Sequence, residues 1–174
     1  MNLGFLLPFD NFILLTNLTQ TEVKARFERI TEPQIGFRLF PERREKPYEG
    51  KIIGETFEIS RIIRGRNSFL PLIKGRISTN AGQTQIAIRM RPVIAVLLFM
   101  TYWLGTVGLM CLGLIASGAL QFKGLTVHSD SPATLVPFGM LAFGYGLLMV
   151  AYRVESHKSK AFFKQLLEAE EWLE

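Results

Sequence analysis

Two stretches of this sequence carry no charged residue: Val93 to Gln121 and Ala133 to Tyr152. A bilayer core about 30 Å thick takes roughly 20 apolar residues of α-helix, so each stretch is long enough to span it. A helix buried in a soluble core is rarely apolar on every face over such a length. The spacing predicts two spans, about 93–121 and 133–152, joined by the short loop "FKGLTVHSDSP". The chain's mean hydropathy of +0.22 coexists with 20% charged residues because the apolar content is concentrated in these spans.

Charge then sets the expected orientation. Before Val93 there are 15 Lys/Arg and 9 Asp/Glu, and after Tyr152 there are 4 and 5; the loop between the spans holds only Lys123 and Asp130. Arg89 and Arg91 abut the first span, and Arg153, Lys158 and Lys160 follow the second. The positive-inside rule weighs Lys and Arg near span ends, which places both termini in the cytoplasm. The opening "MNLGFLLPFDNFILL" lacks a basic n-region and is broken by Pro8 and Asp10, so it is expected to be mature structure and not a signal peptide.

The chain divides by pattern into a cytoplasmic α+β domain (1–91), a transmembrane hairpin (92–153) and a cytoplasmic amphipathic helix (154–174). In the first part, "NFILLT" from Asn11 to Thr16 suits a strand. "TQTE", Thr19 to Glu22, is a capping box, in which the Thr hydroxyl and the Glu carboxylate each serve an orphan backbone N–H. Val23, Phe27 and Ile30 then recur at helical spacing, and Pro33 ends the helix. Short alternating runs follow: "IGFRLF", "YEGKIIG" with "ETFEISRII" as one hairpin, and "LIKGRIST" with "TQIAIRM" as a second. In the second hairpin Ile73, Gly75 and Ile77 share one face with Ile86, Ile88 and Met90, leaving Lys74, Arg76, Ser78, Arg89 and Arg91 outside. The economical architecture is a small antiparallel sheet with one packed helix. The tail places Phe162, Leu166 and Leu173 on one side of a helix beside Phe163 and Leu167, and its acidic end favours docking on the basic domain over anionic headgroups.

Candidate functional residues fall in two groups. Arg61, Arg64, Arg66, Lys74, Arg76, Arg89 and Arg91 form a candidate basic surface for lipid or phosphate, each charge near an anionic leaflet contributing about 1 kcal/mol. The competing reading is a solvated strand surface, since exposed charge blocks edge pairing. Gly113 and Ser117, and Ala142 and Gly146, are small residues four apart that let helices approach closely, within the hairpin or against another membrane protein.

The sequence points to no catalytic constellation. His128 and His157 fall on opposite sides of the expected membrane, and the single Cys111 lies inside the first span. The glycines make no phosphate-cradling motif, no cofactor or metal is implied, and no span carries Asp, Glu, Lys, Arg or His for a proton or ion path. Nucleic acid is not an expected partner, because basicity without a stacking platform gives only non-specific binding.

The run "YEGKIIGETFEISRIIRGRNSFLPLIKGRI", followed by a strand and two spans, resembles a family of small uncharacterised bacterial membrane proteins. The shared features are Tyr48, Gly50 and Ile52 in one strand, the turn Arg66 to Pro71, and Gly75 and Ile77 in another. The resemblance implies this layout and a bacterial membrane, and no activity; the expected location is the inner (plasma) membrane or another internal membrane of a bacterial cell. Bacterial membrane pleckstrin-like domains are a looser likeness: there the helix follows the strands, whereas here it precedes most of them, so their lipid-binding role is not carried over. The expected function is a non-enzymatic interaction or accessory role at the membrane, with the bilayer and another membrane protein as partners. Binding of anionic lipid headgroups is the first alternative, and a small membrane enzyme with an unrecognised site the second.

Overall fold

The structure, a computed structural model, describes residues 7–33, 46–63, 69–80, 82–117, 120–123, 126–129 and 132–172. By its contacts the chain divides into two compact units: Met1–Val93 together with Tyr152–Glu174, and Ile94–Ala151.

The first unit is α+β. Its elements are β1 (Asp10–Thr16), α1 (Gln20–Ile30), β2 (Thr31–Pro33), β3 (Tyr48–Ile53), β4 (Thr56–Arg61), β5 (Pro71–Asn80) and β6 (Gln83–Pro92). The chain then runs through α2 (Ile94–Ala116), β7 (Leu120–Lys123), β8 (Thr126–Ser129) and α3 (Val136–Leu166) to β9 (Glu170–Trp172). Seven strands form one sheet in the order β2-β3-β4-β5-β6-β1-β9. The sheet is mixed, not wholly antiparallel as expected, because β2 runs parallel to β3. The run "IGFRLF" and the first half of the turn Arg66–Pro71 lie outside the described residues.

Local signals place α1 and the central hairpin where the sequence puts them. Thr19 accepts from the Glu22 backbone N–H while the Glu22 carboxylate accepts from the Thr19 backbone N–H, completing the capping box. The hydrogen bonds that the Thr19 backbone N–H and hydroxyl donate to the Glu22 carboxylate hold it below its ordinary value. In β6, and in β5 as far as Ile77, the period of two is kept: Ile73, Ile77, Ile86, Ile88 and Met90 are buried, and Arg76, Ala87 and Arg89 are exposed.

The core is filled by residues from both ends of the sequence. Val23 and Phe27 of α1 are fully buried, and so are Phe163 of α3 and Leu167 just beyond it. Phe27 stacks on Phe57 with ring centroids 4.3 Å apart, and Phe163 lies 5.6 Å from Phe27 and 5.3 Å from Tyr48. Full burial of a side chain such as Phe or Leu stabilises by about 1.5–3 kcal/mol. Polar contacts fix the same join: the Thr16 hydroxyl donates to the Leu167 carbonyl at 2.7 Å, and Arg26 donates to the Leu166 carbonyl at 2.6 Å and pairs with Glu168 at 2.7 Å. A cation at a helix C-terminus also complements the helix dipole.

The tail differs from the expected separate helix over 154–174. Between Tyr152 and Glu174 the sequence has neither Gly nor Pro, so α3 continues past Arg153 without a break. It stops where Glu168 takes a left-handed conformation (φ 49°), and Glu170–Trp172 then pair antiparallel with β1 as an edge strand. The inner face of the sheet is thus covered by two helical segments, not one.

Two glycines have a packing cause. Gly50 has φ 153°, and a Cβ there would stand 2.1 Å from the Glu58 carbonyl oxygen and 2.7 Å from Ile59 Cα. At Gly75 a Cβ would stand 2.1 Å from the Phe57 ring, which fills that space from the neighbouring strand.

Two helices are long and apolar enough to cross a membrane: Ile94–Ala116 of the second unit, and α3 with the 3-10 turn that leads into it, Pro132–Leu166, which belongs to the second unit as far as Ala151. The connection between them holds a two-stranded hairpin, β7 with β8, where the sequence suggested only a loop. The small pairs lie off the close contact between these helices. A Cβ at Gly113 or Gly146 would meet nothing within 4 Å, and Ser117 and Ala142 are exposed. Gly144 makes the close contact instead, with the Trp103 ring 2.2 Å from where its Cβ would be.

Gly50→Ala should cost at least ~2 kcal/mol, since the clash is with backbone that cannot rotate away. Chemical unfolding of the full chain in detergent measures this, and an unchanged midpoint would contradict the packing assigned to Gly50.

Candidate functional site

Parity along the strands divides the basic residues between two faces. The inner face takes Tyr48, Gly50 and Ile52 of β3, Phe57, Ile59 and Arg61 of β4, and Ile73, Gly75 and Ile77 of β5. The outer face takes Lys51, Glu58, Lys74, Arg76, Arg89 and Arg91, and among the described residues no helix packs upon it.

Arg61 therefore does not belong to the surface the sequence suggested. It is only partly exposed, and its guanidinium donates to Glu155 Oε2 of α3 at 2.8 Å. Glu155 is 8% exposed and also holds Lys158 at 3.0 Å. A buried carboxylate needs such partners, because an uncompensated charge in that place is strongly destabilising. Arg61 fastens α3 to the sheet. Arg64 and Arg66 lie outside the described residues.

The remaining four come together. Strand register sets Lys74 opposite Arg89, Arg76 opposite Ala87, and Leu72 opposite Arg91. Continued across the sheet, one row reads Lys51, Glu58, Lys74, Arg89, Asn11. The next reads Ile53, Thr56, Arg76, Ala87, Ile13, Trp172. Both rows except Trp172 line an open depression of about 790 Å³ on this face.

Its charge is only partly cancelled. Among the described residues Glu58 is the single carboxylate that lines the depression, and Lys74 engages it at 2.8 Å. That hydrogen bond from Lys74, with Lys51 and Arg91 nearby, holds the Glu58 carboxyl below its ordinary value. Lys51, Arg76 and Arg89 have no ion pair among the described residues. An array of unpaired cations beside apolar side chains can attract and seat an anionic group.

Sequence reasoning missed Lys51, Glu58, Ile13 and Trp172. Alternation in "YEGKIIG" sets Lys51 opposite Gly50 and Ile52, but only the strand order brings it beside Lys74. Among the described residues, no group of three or more His, Cys, Asp or Glu is placed to hold a metal ion. In comparisons with known proteins, no family model, no curated protein and no solved structure matches this chain.

Two expectations follow for the full chain in detergent. Arg61→Glu should destabilise by about 3 kcal/mol or more, because it removes the partner of the buried Glu155 carboxylate and sets a second carboxylate against it, whereas Arg76→Glu should stay within about 0.5 kcal/mol. Equal losses in unfolding experiments would contradict the assignment of the two arginines to different faces. Lys74→Met should cost under ~1 kcal/mol near pH 7, the usual scale for a partly exposed pair. Because the pair lowers the Glu58 value, its contribution is complete above the ordinary value of 4.5 and is lost as pH falls through the lowered one. A wild-type-minus-mutant difference that grows toward low pH would contradict this.

Proposed function

We propose that this protein is a membrane-anchored, non-enzymatic interaction or accessory protein of the bacterial inner membrane, with its sheet domain and both termini in the cytoplasm. The supporting observation is the outer face of the sheet: uncovered, concave, and carrying Lys51, Arg76 and Arg89 without an ion pair among the described residues. The membrane assignment rests on α2 and the first part of α3, where Leu98, Phe99, Tyr102, Leu109 and Phe143 stand exposed. Large apolar side chains exposed together on long helices suit lipid and not water. The excess of Lys and Arg before Val93 and the near-absence of charge between the helices support the orientation.

A second reading, anionic-lipid binding, has its own observation. Arg89 and Arg91 lie on β6, and only Val93 separates that strand from α2. Cations so near a span lie within reach of leaflet charge, at about 1 kcal/mol each.

Ser129→Cys should react with a membrane-impermeant thiol reagent applied to intact spheroplasts, while the buried Cys111 stays silent. Labelling only after lysis would reverse the orientation. Purification from native membranes in mild detergent should bring down a protein in stoichiometric amount. Recovery of the chain alone would remove the interaction reading, and recovery with enriched anionic lipid would put the second reading in its place.

A further inference from the structure

The interaction reading leaves open what sits on the outer face, and the following rests on that reading. We propose that the occupant is an acidic amphipathic helix of a partner protein, lying across the strands in the depression. The two rows supply both halves of the match. Ile53, Ala87, Ile13 and Trp172 form a largely apolar line from β3 to β9, and Ile53 and Trp172 are 65% and 55% exposed. Lys51, Lys74 and Arg89 run beside that line, and Arg76 rises within it.

The dimensions agree with a helix. The depression runs from β3 to β1 and Trp172 stands one strand beyond it; with strands about 4.8 Å apart, the five steps from β3 to β9 span roughly 24 Å. At 1.5 Å per residue this is about 16 residues, or between four and five turns. Alternate residues on one face of a strand are roughly 7 Å apart, so the two rows meet neighbouring stripes of one helix and not its opposite sides. The apolar stripe would lie over Ala87 and Ile13, with carboxylates flanking it over Lys51 and Arg89 and reaching Arg76. Glu58, the one acid among the described residues that line the depression, is already engaged by Lys74, which leaves Lys51, Arg76 and Arg89 to receive the guest.

A bilayer fits less well, because a flat charged surface meets the rim of a concave face and leaves its apolar floor unfilled. A free phosphate would use the cations and leave Ile13, Ala87 and Trp172 exposed to water.

The test places a photo-crosslinking p-benzoylphenylalanine at Ala87 and, separately, at Thr56 in the full chain, with Lys24 on α1 as the off-site position. Cells are irradiated and adducts from native membranes are mapped to the peptide. The expected result is an adduct from Ala87 and Thr56 to one acidic amphipathic segment of another protein. Its yield should fall at least tenfold in Arg76→Glu/Arg89→Glu, and also fall in the milder Arg76→Gln/Arg89→Gln, with no change in expression or unfolding midpoint. The same adduct should be missing from Lys24. Adducts to phospholipid, adducts to a second copy of this chain, or no protein adduct from either position would overturn the proposal. A partner that still co-purifies with the Arg76→Glu/Arg89→Glu chain, without an adduct at Ala87, would sink this face while leaving the interaction reading in place.

Discussion

Phe163 lies fully buried against Phe27 and Tyr48, and Leu167 is sealed into the same core. That contact joins a sheet built before Val93 to residues that arrive after Ala151, and the rest of the unit depends on it. With the rings in place, α3 can stop at Leu166, Glu168 can turn, and Glu170–Trp172 can cover the edge of β1. Polar groups secure the join without replacing its apolar centre. The Tyr152 hydroxyl donates to the Met90 carbonyl at 2.8 Å, and the Ser156 hydroxyl to Asp10 at 2.9 Å. Both helical coverings fall on one side, and among the described residues no helix covers the other side of the sheet.

Parity gives one residue type two roles. Arg61 follows Phe57 and Ile59 at steps of two and so turns inward, where Glu155 awaits it. Arg76 and Arg89 occupy the opposite parity and remain outside. A basic run in one dimension therefore says little about a basic surface. What counts is which side of the pleat each charge takes and whether a carboxylate reaches it.

Much of the layout was legible because its causes are local. The capping box, the alternation of β5 and β6, and the two uncharged runs each declare themselves within a few turns or strand steps. Arg61 was legible too, since "FEISR" alternates plainly, but treating charge as necessarily outward concealed it. Other features have no local cause. Glu170–Trp172 is too short and too polar to read as a strand, and it becomes one only by pairing with β1. The parallel β2 is three residues that borrow their conformation from β3. The end of the apolar run at Tyr152 marks a change of surroundings, which is a different thing from the end of a helix. Of the candidate site, Lys74, Arg76, Arg89 and Arg91 could be read from alternation, while Lys51 and Ile13 needed the strand order β3-β4-β5-β6-β1.

The break in the first unit between Val93 and Tyr152 sets a timetable for biosynthesis. When the ribosome has finished β6, the inner face of the sheet still lacks Tyr152, Phe163 and Leu167. Elongation at about 5–20 residues per second leaves it so for several seconds while Ile94–Ala151 is made. For that interval the nascent domain presents Ile59, Ile73 and Met90 under a single short helix, which is the kind of surface that chaperones bind and aggregates recruit. Synthesis stalled in this window would leave a chain with both long apolar helices started or made and its sheet unsealed. Such a product would carry its own mark for disposal.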